Sequence, residues 1–342
     1  MTYDIITIGT ATRDIFLQSP FFRPFKDSEH LAKKSFPTGE AECLPLGAKI
    51  EIEKPVWTSG GGAYNTAVTF SRQGLRVAAV VKIGDDEAGR IVLHDFKKES
   101  VEVFGVKDKK RATAHSVILL SPSGERTILN YRGASETLKA KEIPFSKLKS
   151  KWVYIVPGGI KLEILEAVIN FFYQKKMLVA INLSKHLIQE KISGLSHILK
   201  KSAVVILNRE EAAYLTGVRY KKEREIFEKL DRAISGIAVM TDGSRGAFVS
   251  DGRYLYESPV FETKEVIDLT GAGDAYGAGF VVGLIHQPTT LRPEIMKYAI
   301  RLATANAASV VECIGATEGI LTRREFEKDH RWQRLDIKAK RL

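Results

Sequence analysis

Short runs of β-branched and apolar residues alternate with longer stretches of helical spacing along most of the chain. Ile5–Gly9, Val77–Ile83, Trp152–Val156, Leu178–Asn182, Val204–Asn208 and Ile237–Thr241 read as strands, and the later ones look buried on both faces. Gly61–Leu75 starts as a glycine turn and continues as a helix, with Ala63, Ala67, Phe70 and Ser71 near helical spacing. Glu87–Ser100 and Leu162–Lys175 read as further helices. This alternation predicts an α/β fold, with a mostly parallel central sheet and helices on both faces.

Two segments break the pattern. Residues 15–58 carry few helical signals, several prolines and one expected strand, Ala48–Glu53. Residues 101–133 read as strands with a hairpin: Thr113–Ser121, the turn Pro122-Ser123-Gly124-Glu125, then Arg126–Tyr131. Together they predict a small β-layer rising near the end of the sheet where α/β ligand sites form. Such a layer suits a lid over a water-sensitive reaction, an oligomer interface, or a plain surface flap. Residues 1–320 are expected to form one domain, and 321–342 a basic C-terminal tail or helix.

Composition narrows the function classes. The chain has 342 residues, 44% hydrophobic and 27% charged, which is enough for a sizeable core. No apolar run approaches the ~18–20 residues of a membrane span. The first residues lack a basic leader and read as a strand, so no membrane partner is expected. Only two cysteines occur, Cys43 and Cys313, far apart; a disulfide framework is not expected and a reducing cytoplasm fits. The net charge is +11. That excess suits a polyanionic nucleotide, solubility or nucleic acid. Its densest cluster is the stretch 323–342, with eight basic and four acidic residues. Without a helix-turn-helix, zinc or aromatic RNA-binding pattern, nucleic acid is not the expected partner.

The run from Asp268 to Phe280 carries the chemistry. Gly271, Ala272 and Gly273 have little or no side chain, so their N–H groups can converge on an anion. The following helix adds the positive end of its dipole. Asp274, at the helix start, is placed to take a proton from a nucleophilic hydroxyl. Phosphoryl transfer needs both parts. The plain alternative is a glycine-rich turn closed by a capping Asp.

Other motifs fall into line with this run. Gly60-Gly61-Gly62-Ala63-Tyr64-Asn65-Thr66-Ala67 opens the second helix-forming segment. Gly9-Thr10-Ala11-Thr12-Arg13-Asp14 ends the first strand, and a short carboxylate such as Asp14 can accept bonds from vicinal hydroxyls. Asn208-Arg209-Glu210-Glu211 and Thr241-Asp242-Gly243-Ser244-Arg245-Gly246 follow later strands. Taken singly, Asn208 and Glu211 also have the form of a capping box, and Thr241–Gly246 that of a hairpin turn.

In this order and spacing the motifs resemble those of the ribokinase-like carbohydrate kinases, the PfkB family, over nearly the whole chain. The resemblance implies a three-layer αβα sandwich with a small β-sheet lid, and a cytoplasmic ATP-dependent kinase acting on a sugar hydroxyl. It implies Asp274 as general base and Gly271, Ala272 and Gly273 as anion hole. Asp14, Gly60, Gly61, Gly62 and Asn65 would hold the substrate. Asn208, Thr241, Gly243, Gly246 and Asn306 would bind ATP. Glu211 would support Mg²⁺ through water. Asp268 and Thr270 would border a K⁺ site, or Asp268 would merely brace the turn. A homodimer through the lid is expected. Two positions depart from ribokinases proper: Gly62 stands where a lysine is usual, and no carboxylate follows the strand Tyr154-Ile155-Val156-Pro157-Gly158-Gly159. A nucleoside such as adenosine is therefore an alternative acceptor, and a catalytically idle or nucleic-acid-binding member of the fold a further one. Arg132 could meet an acidic or phosphorylated sugar.

Overall fold

All eight residues of Val77–Gly84 (β6) are buried. Val77, Ala79, Val81 and Ile83 enter one core while Ala78 and Val80 enter another, on the opposite face of the sheet. The strand period of two makes this division, and helices covering both faces make it apolar throughout. The computed structural model describes residues 2–22, 24–27, 40–122, 125–287 and 292–342.

Strand β6 lies in a ten-stranded sheet between β1 (Tyr3–Gly9) and β7 (Glu102–Asp108). Beyond β1 follow β10 (Ser150–Val156), β11 (Leu178–Asn182), β12 (Val204–Asn208) and β13 (Ile237–Thr241), all parallel. The sheet ends antiparallel in β14 (Ala247–Ser250), β15 (Tyr254–Ser258) and β16 (Lys338–Arg341). A four-stranded sheet is built from β5 (Val56–Gly60), β2 (Thr12–Gln18), β8 (Ala114–Leu120) and β9 (Arg126–Tyr131), in that order. A further pair joins β3 (Pro24–Lys26) to β4 (Glu40–Glu42). Among the described residues, no helix is long and apolar enough to cross a membrane.

Three local expectations are corrected. Ala48–Glu53 is not a strand; nearly all side chains from 43 to 55 are exposed, and the segment has no face to bury. It is tied to the end of β2 by Glu53 N–H donating to Gln18 O at 2.9 Å and Ser19 Oγ donating to Glu51 O at 2.8 Å, and pairing starts later, at Val56. The segment 101–133 is not all small layer, because β7 extends the large sheet beside β6. The C-terminal stretch is more than a loose tail or helix: Phe326, Trp332 and Ile337 are buried, and β16 forms the sheet edge. Lysines at 338 and 340 guard that edge against further pairing. Within the expected hairpin, Ser123 and Gly124 lie outside the described residues, as do 28–39 within the earlier segment. The hairpin strands β8 and β9 pair antiparallel as expected.

The carboxyl ends of β1, β10, β12 and β13 point the same way, and the small sheet branches from that end. Thr12 of β2 follows β1 by three residues, and β5 runs directly into the helix Gly62–Arg72. This is the crevice where open α/β sheets bind ligands.

Candidate active site

The helix Ala272–Ile285 starts at Gly271, whose φ of 83° is left-handed and favours glycine. No side chain caps this helix start. Ala272 N–H makes only a long bond, 3.5 Å, to Leu269 O. A Cβ at Gly273 would meet open space. The turn therefore offers backbone donors and a dipole end to an anion, with nothing in the way.

Asp274 is the third residue of that helix. Its Oδ2 accepts a hydrogen bond from Asn65 Nδ2 at 2.9 Å. Burial pushes the Asp274 carboxyl up to about 6, against the pull of Asn65. Tyr154, fully buried beneath, is raised by its burial and then by the charge of Asp274. Asp274, Gly271 and Gly273 line a cavity of about 290 Å³ together with Asn208, Glu211 and Thr241. Six of the expected site residues thus share one cavity.

Asp14, on β2, is not among the residues lining this cavity; it is buried, and its Oδ1 has no hydrogen-bond partner among the described residues. Burial raises its pKa, opposed by the neighbouring Ser116 hydroxyl. Gly60 makes room for it: a Cβ there would lie 2.1 Å from Asp14 Oδ2. Gly61 (φ 90°) caps the helix Gly62–Arg72 without a side chain. Gly62 packs against Val156, and a Cβ at 62 would come within 2.2 Å of Val156 Cγ1. Gly62, the position where ribokinases proper usually carry lysine, therefore has no room for a side chain beside Val156. Arg132 is half-exposed, 3.7 Å from Glu136.

Asn208 and Glu211 form a capping box: Asn208 Oδ1 accepts from Glu211 N–H at 2.8 Å, and Glu211 Oε2 accepts from Asn208 N–H at 2.9 Å. Burial raises the Glu211 pKa, Asn208 opposes it, and the nearby charges of Glu210 and Asp274 add to it. Thr241 ends β13 beside Asn208, its register partner. The turn after it closes through Asp242 N–H to Gly246 O at 2.8 Å. Gly243 (φ 56°) faces open space, whereas Gly246 is packed against Ser258 O.

Asp268 is fully buried. It accepts from Thr270 N–H at 2.8 Å and from Gly315 N–H at 3.0 Å, so it does brace the turn. No cation side chain pairs with it among the described residues, and Thr270 Oγ1 is buried without a partner. Asn306 does not reach the cavity. It is fully buried and its amide is spent on Ala275 O (2.9 Å) and Leu321 N–H (3.0 Å), tying two helices to the C-terminal segment.

Asn182, Ile206, Leu207, Leu269 and Arg126, all outside the expected set, also line the cavity; Arg126, the first residue of β9, is the charged one. Its Nε is buried with no hydrogen-bond partner among the described residues. A guanidinium beside an uncapped helix start, with no carboxylate paired to it among the described residues, suits an anion.

Comparison with known proteins shows the family and the fold. The family described as pfkB family carbohydrate kinase matches residues 40–323. An uncharacterized sugar kinase of Archaeoglobus fulgidus is 28% identical over 267 residues, covering 73% of this chain and 97% of that protein. Fructokinase-1 of Zea mays is 28% identical over 305 residues, covering 83% and 93%. The structure of Arabidopsis thaliana ribokinase complexed with ribose and ATP superposes with a TM-score of 0.73 at 17% identity, covering 98% and 100% of the two chains. The chain belongs to the pfkB family of carbohydrate kinases.

Proposed function

We propose that this carbohydrate kinase transfers the γ-phosphoryl group of MgATP to a sugar hydroxyl, with Asp274 as the base. The observation that carries the reading is the Asn65–Asp274 bond, which sets a carboxylate beside the Gly271–Gly273 helix start in one cavity. A carboxyl with pKa near 6 is ionised at neutral pH yet basic enough to draw the proton from an alcohol as its oxygen attacks. The new O–P bond forms as the bond to the β–γ bridging oxygen breaks, and ADP leaves with that oxygen. Charge on the transferring group is met by the N–H groups at Gly271 and Gly273 and by Arg126.

Asp14, whose Oδ1 has no hydrogen-bond partner among the described residues, would accept from sugar hydroxyls, and Asn65 would orient both base and acceptor. Thr241 and Gly243 would border the nucleotide. Glu211 and Asn208 suit a Mg²⁺ ion that keeps its water shell, since one carboxylate plus phosphates is its usual complement. Bound there, the ion would neutralise phosphate charge. A monovalent cation at the Asp268–Thr270 turn is part of the proposal, because a fully buried carboxylate without a cationic side chain calls for one. Trp57, Leu129 and Tyr131 leave the small sheet with exposed apolar surface, which supports a homodimer through it.

The acceptor class follows the relatives: a hexose such as fructose leads, and Gly62 in place of the usual lysine, with no carboxylate in residues 154–159, argues against ribose. ADP release from MgATP across hexoses, pentoses, sugar acids and nucleosides, with and without K⁺, tests the reading. Turnover on a sugar is expected; turnover on nucleosides alone would replace the acceptor class.

A further inference from the structure

Asn208 and Thr241 face the cavity from neighbouring strand ends, and the residue after each joins a network the mechanism above does not use. Arg209 is buried. Its Nη1 donates to Asp242 Oδ2 at 2.7 Å and to Glu223 Oε2 at 2.7 Å. Its Nε and Nη2 donate to Tyr220 O at 3.1 and 2.9 Å. From the rim, Arg245 donates through Nε to Asp242 Oδ2 (2.8 Å) and through Nη2 to Asp242 Oδ1 (2.6 Å) and Tyr220 Oη (2.6 Å). The Tyr220 ring lies 4.6 Å from the Arg209 guanidinium.

The Asp242 side chain, 3% exposed, is therefore clamped by two arginines. Burial alone would raise its pKa, yet Arg245 and Arg209 hold it below the ordinary value. Buried ion pairs contribute little to stability compared with apolar filling of the same space, but they fix geometry through bidentate bonds. The geometry fixed here is specific. Arg209 follows Asn208 and opens the helix carrying Glu211; Asp242 follows Thr241 and opens the turn carrying Gly243. Backbone pairing of β12 and β13 stops at Asn208 and Thr241, so beyond that point the side-chain pair sets how the two turns face each other.

We propose that Arg209 and Asp242 are positioning residues that lock the Asn208–Glu211 and Thr241–Gly243 turns into one rigid cradle for MgATP, with Arg245 and Tyr220 as its outer latch. The proposal rests on the kinase reading above. It assigns no contact with the nucleotide to Arg209 or Asp242; they act through the turns they join.

The test uses the full chain as wild type, Asp242→Asn, Arg209→Met and Arg245→Gln. Affinity for MgATP is measured by calorimetry, and kcat and both KM values by ADP release. Asp242→Asn and Arg209→Met are expected to weaken MgATP binding and raise its KM by about 10-fold, a typical cost of losing a second layer of support. The acceptor KM should stay unchanged. Arg245→Gln, an exposed position that poses no threat to folding, should weaken MgATP by about 3-fold. A merely structural role predicts a lower Tm and lower kcat per mole of protein, with MgATP affinity of the folded fraction intact; that result overturns the inference. If the buried variants fail to fold, unchanged MgATP affinity in Arg245→Gln overturns it. Wild type that binds no MgATP would overturn the kinase reading and this inference together, whereas variants equal to an active wild type would overturn this inference alone.

Discussion

Asn65 Nδ2 and Asp274 Oδ2 lie 2.9 Å apart, although the two residues are 209 positions apart in the chain. Each stands in the first turn of its own helix, and the bond fixes one helix start against the other. Asn65 thereby both aims the carboxylate and holds down its pKa, which burial alone would raise further.

The pH profile follows from this pair. The base must be ionised, so kcat/KM should rise with pH, level off above about 6, and fall about tenfold per unit below it. Removing the opposing hydrogen bond in Asn65→Ala should move the inflection to higher pH. Initial rates from pH 4.5 to 8.5 on both proteins check this, and an inflection that stays put in the variant would deny Asn65 its role.

Stability should run opposite to activity at position 274. The folded-state pKa is about 6 against an ordinary 3.8, so the folded chain holds this proton more tightly than the unfolded one. The ionised carboxylate destabilises the fold above about pH 6, and the penalty vanishes below the unfolded value. Asp274→Asn should therefore be more stable than wild type at pH 7.5, by on the order of 1–2 kcal/mol, and lose that advantage near pH 4. Thermal melts at the two pH values measure the difference.

Gly60→Ala should damage acceptor binding while sparing the nucleotide. Its Cβ would sit 2.1 Å from Asp14 Oδ2 and force the carboxylate out of place. The acceptor KM is expected to rise about 10-fold or more, with the MgATP KM unchanged and a stability loss of about 1–3 kcal/mol from overpacking. Equal changes in both KM values would mean that Asp14 does not hold the acceptor.

Arg126→Gln should lower kcat by about 10²-fold without lowering Tm. Among the described residues its Nε makes no hydrogen bond, so folding gives no clear reason for harm. Kinetics near those of wild type would remove Arg126 from the phosphate site.

The contrast between Asp274 and Arg126 marks what could be read from the chain. Asp274 announces itself because the anion-binding glycines, the base and the helix start are neighbours in sequence. Arg126 is one of 52 lysines and arginines, and only the strand that starts there carries it to the cavity. Asn306 shows the opposite failure. Ala299, Leu302, Ala303 and Val310 surround it at helical spacing on a buried face, a signal that an amide there serves the core. Strand β7 was hard to separate from the small layer because its alternately exposed residues look like those of an edge hairpin. The central parallel strands were legible because burial on both faces leaves them apolar throughout.

Phosphoryl transfer by Asp274→Asn, measured beside wild type on the best acceptor at saturating MgATP and pH 7.5, tests the central claim most directly. Loss of the base should lower kcat by about 10²–10⁴-fold while calorimetry finds MgATP still bound. Turnover within about twofold of wild type would contradict the assignment of Asp274 and require another group to take the proton.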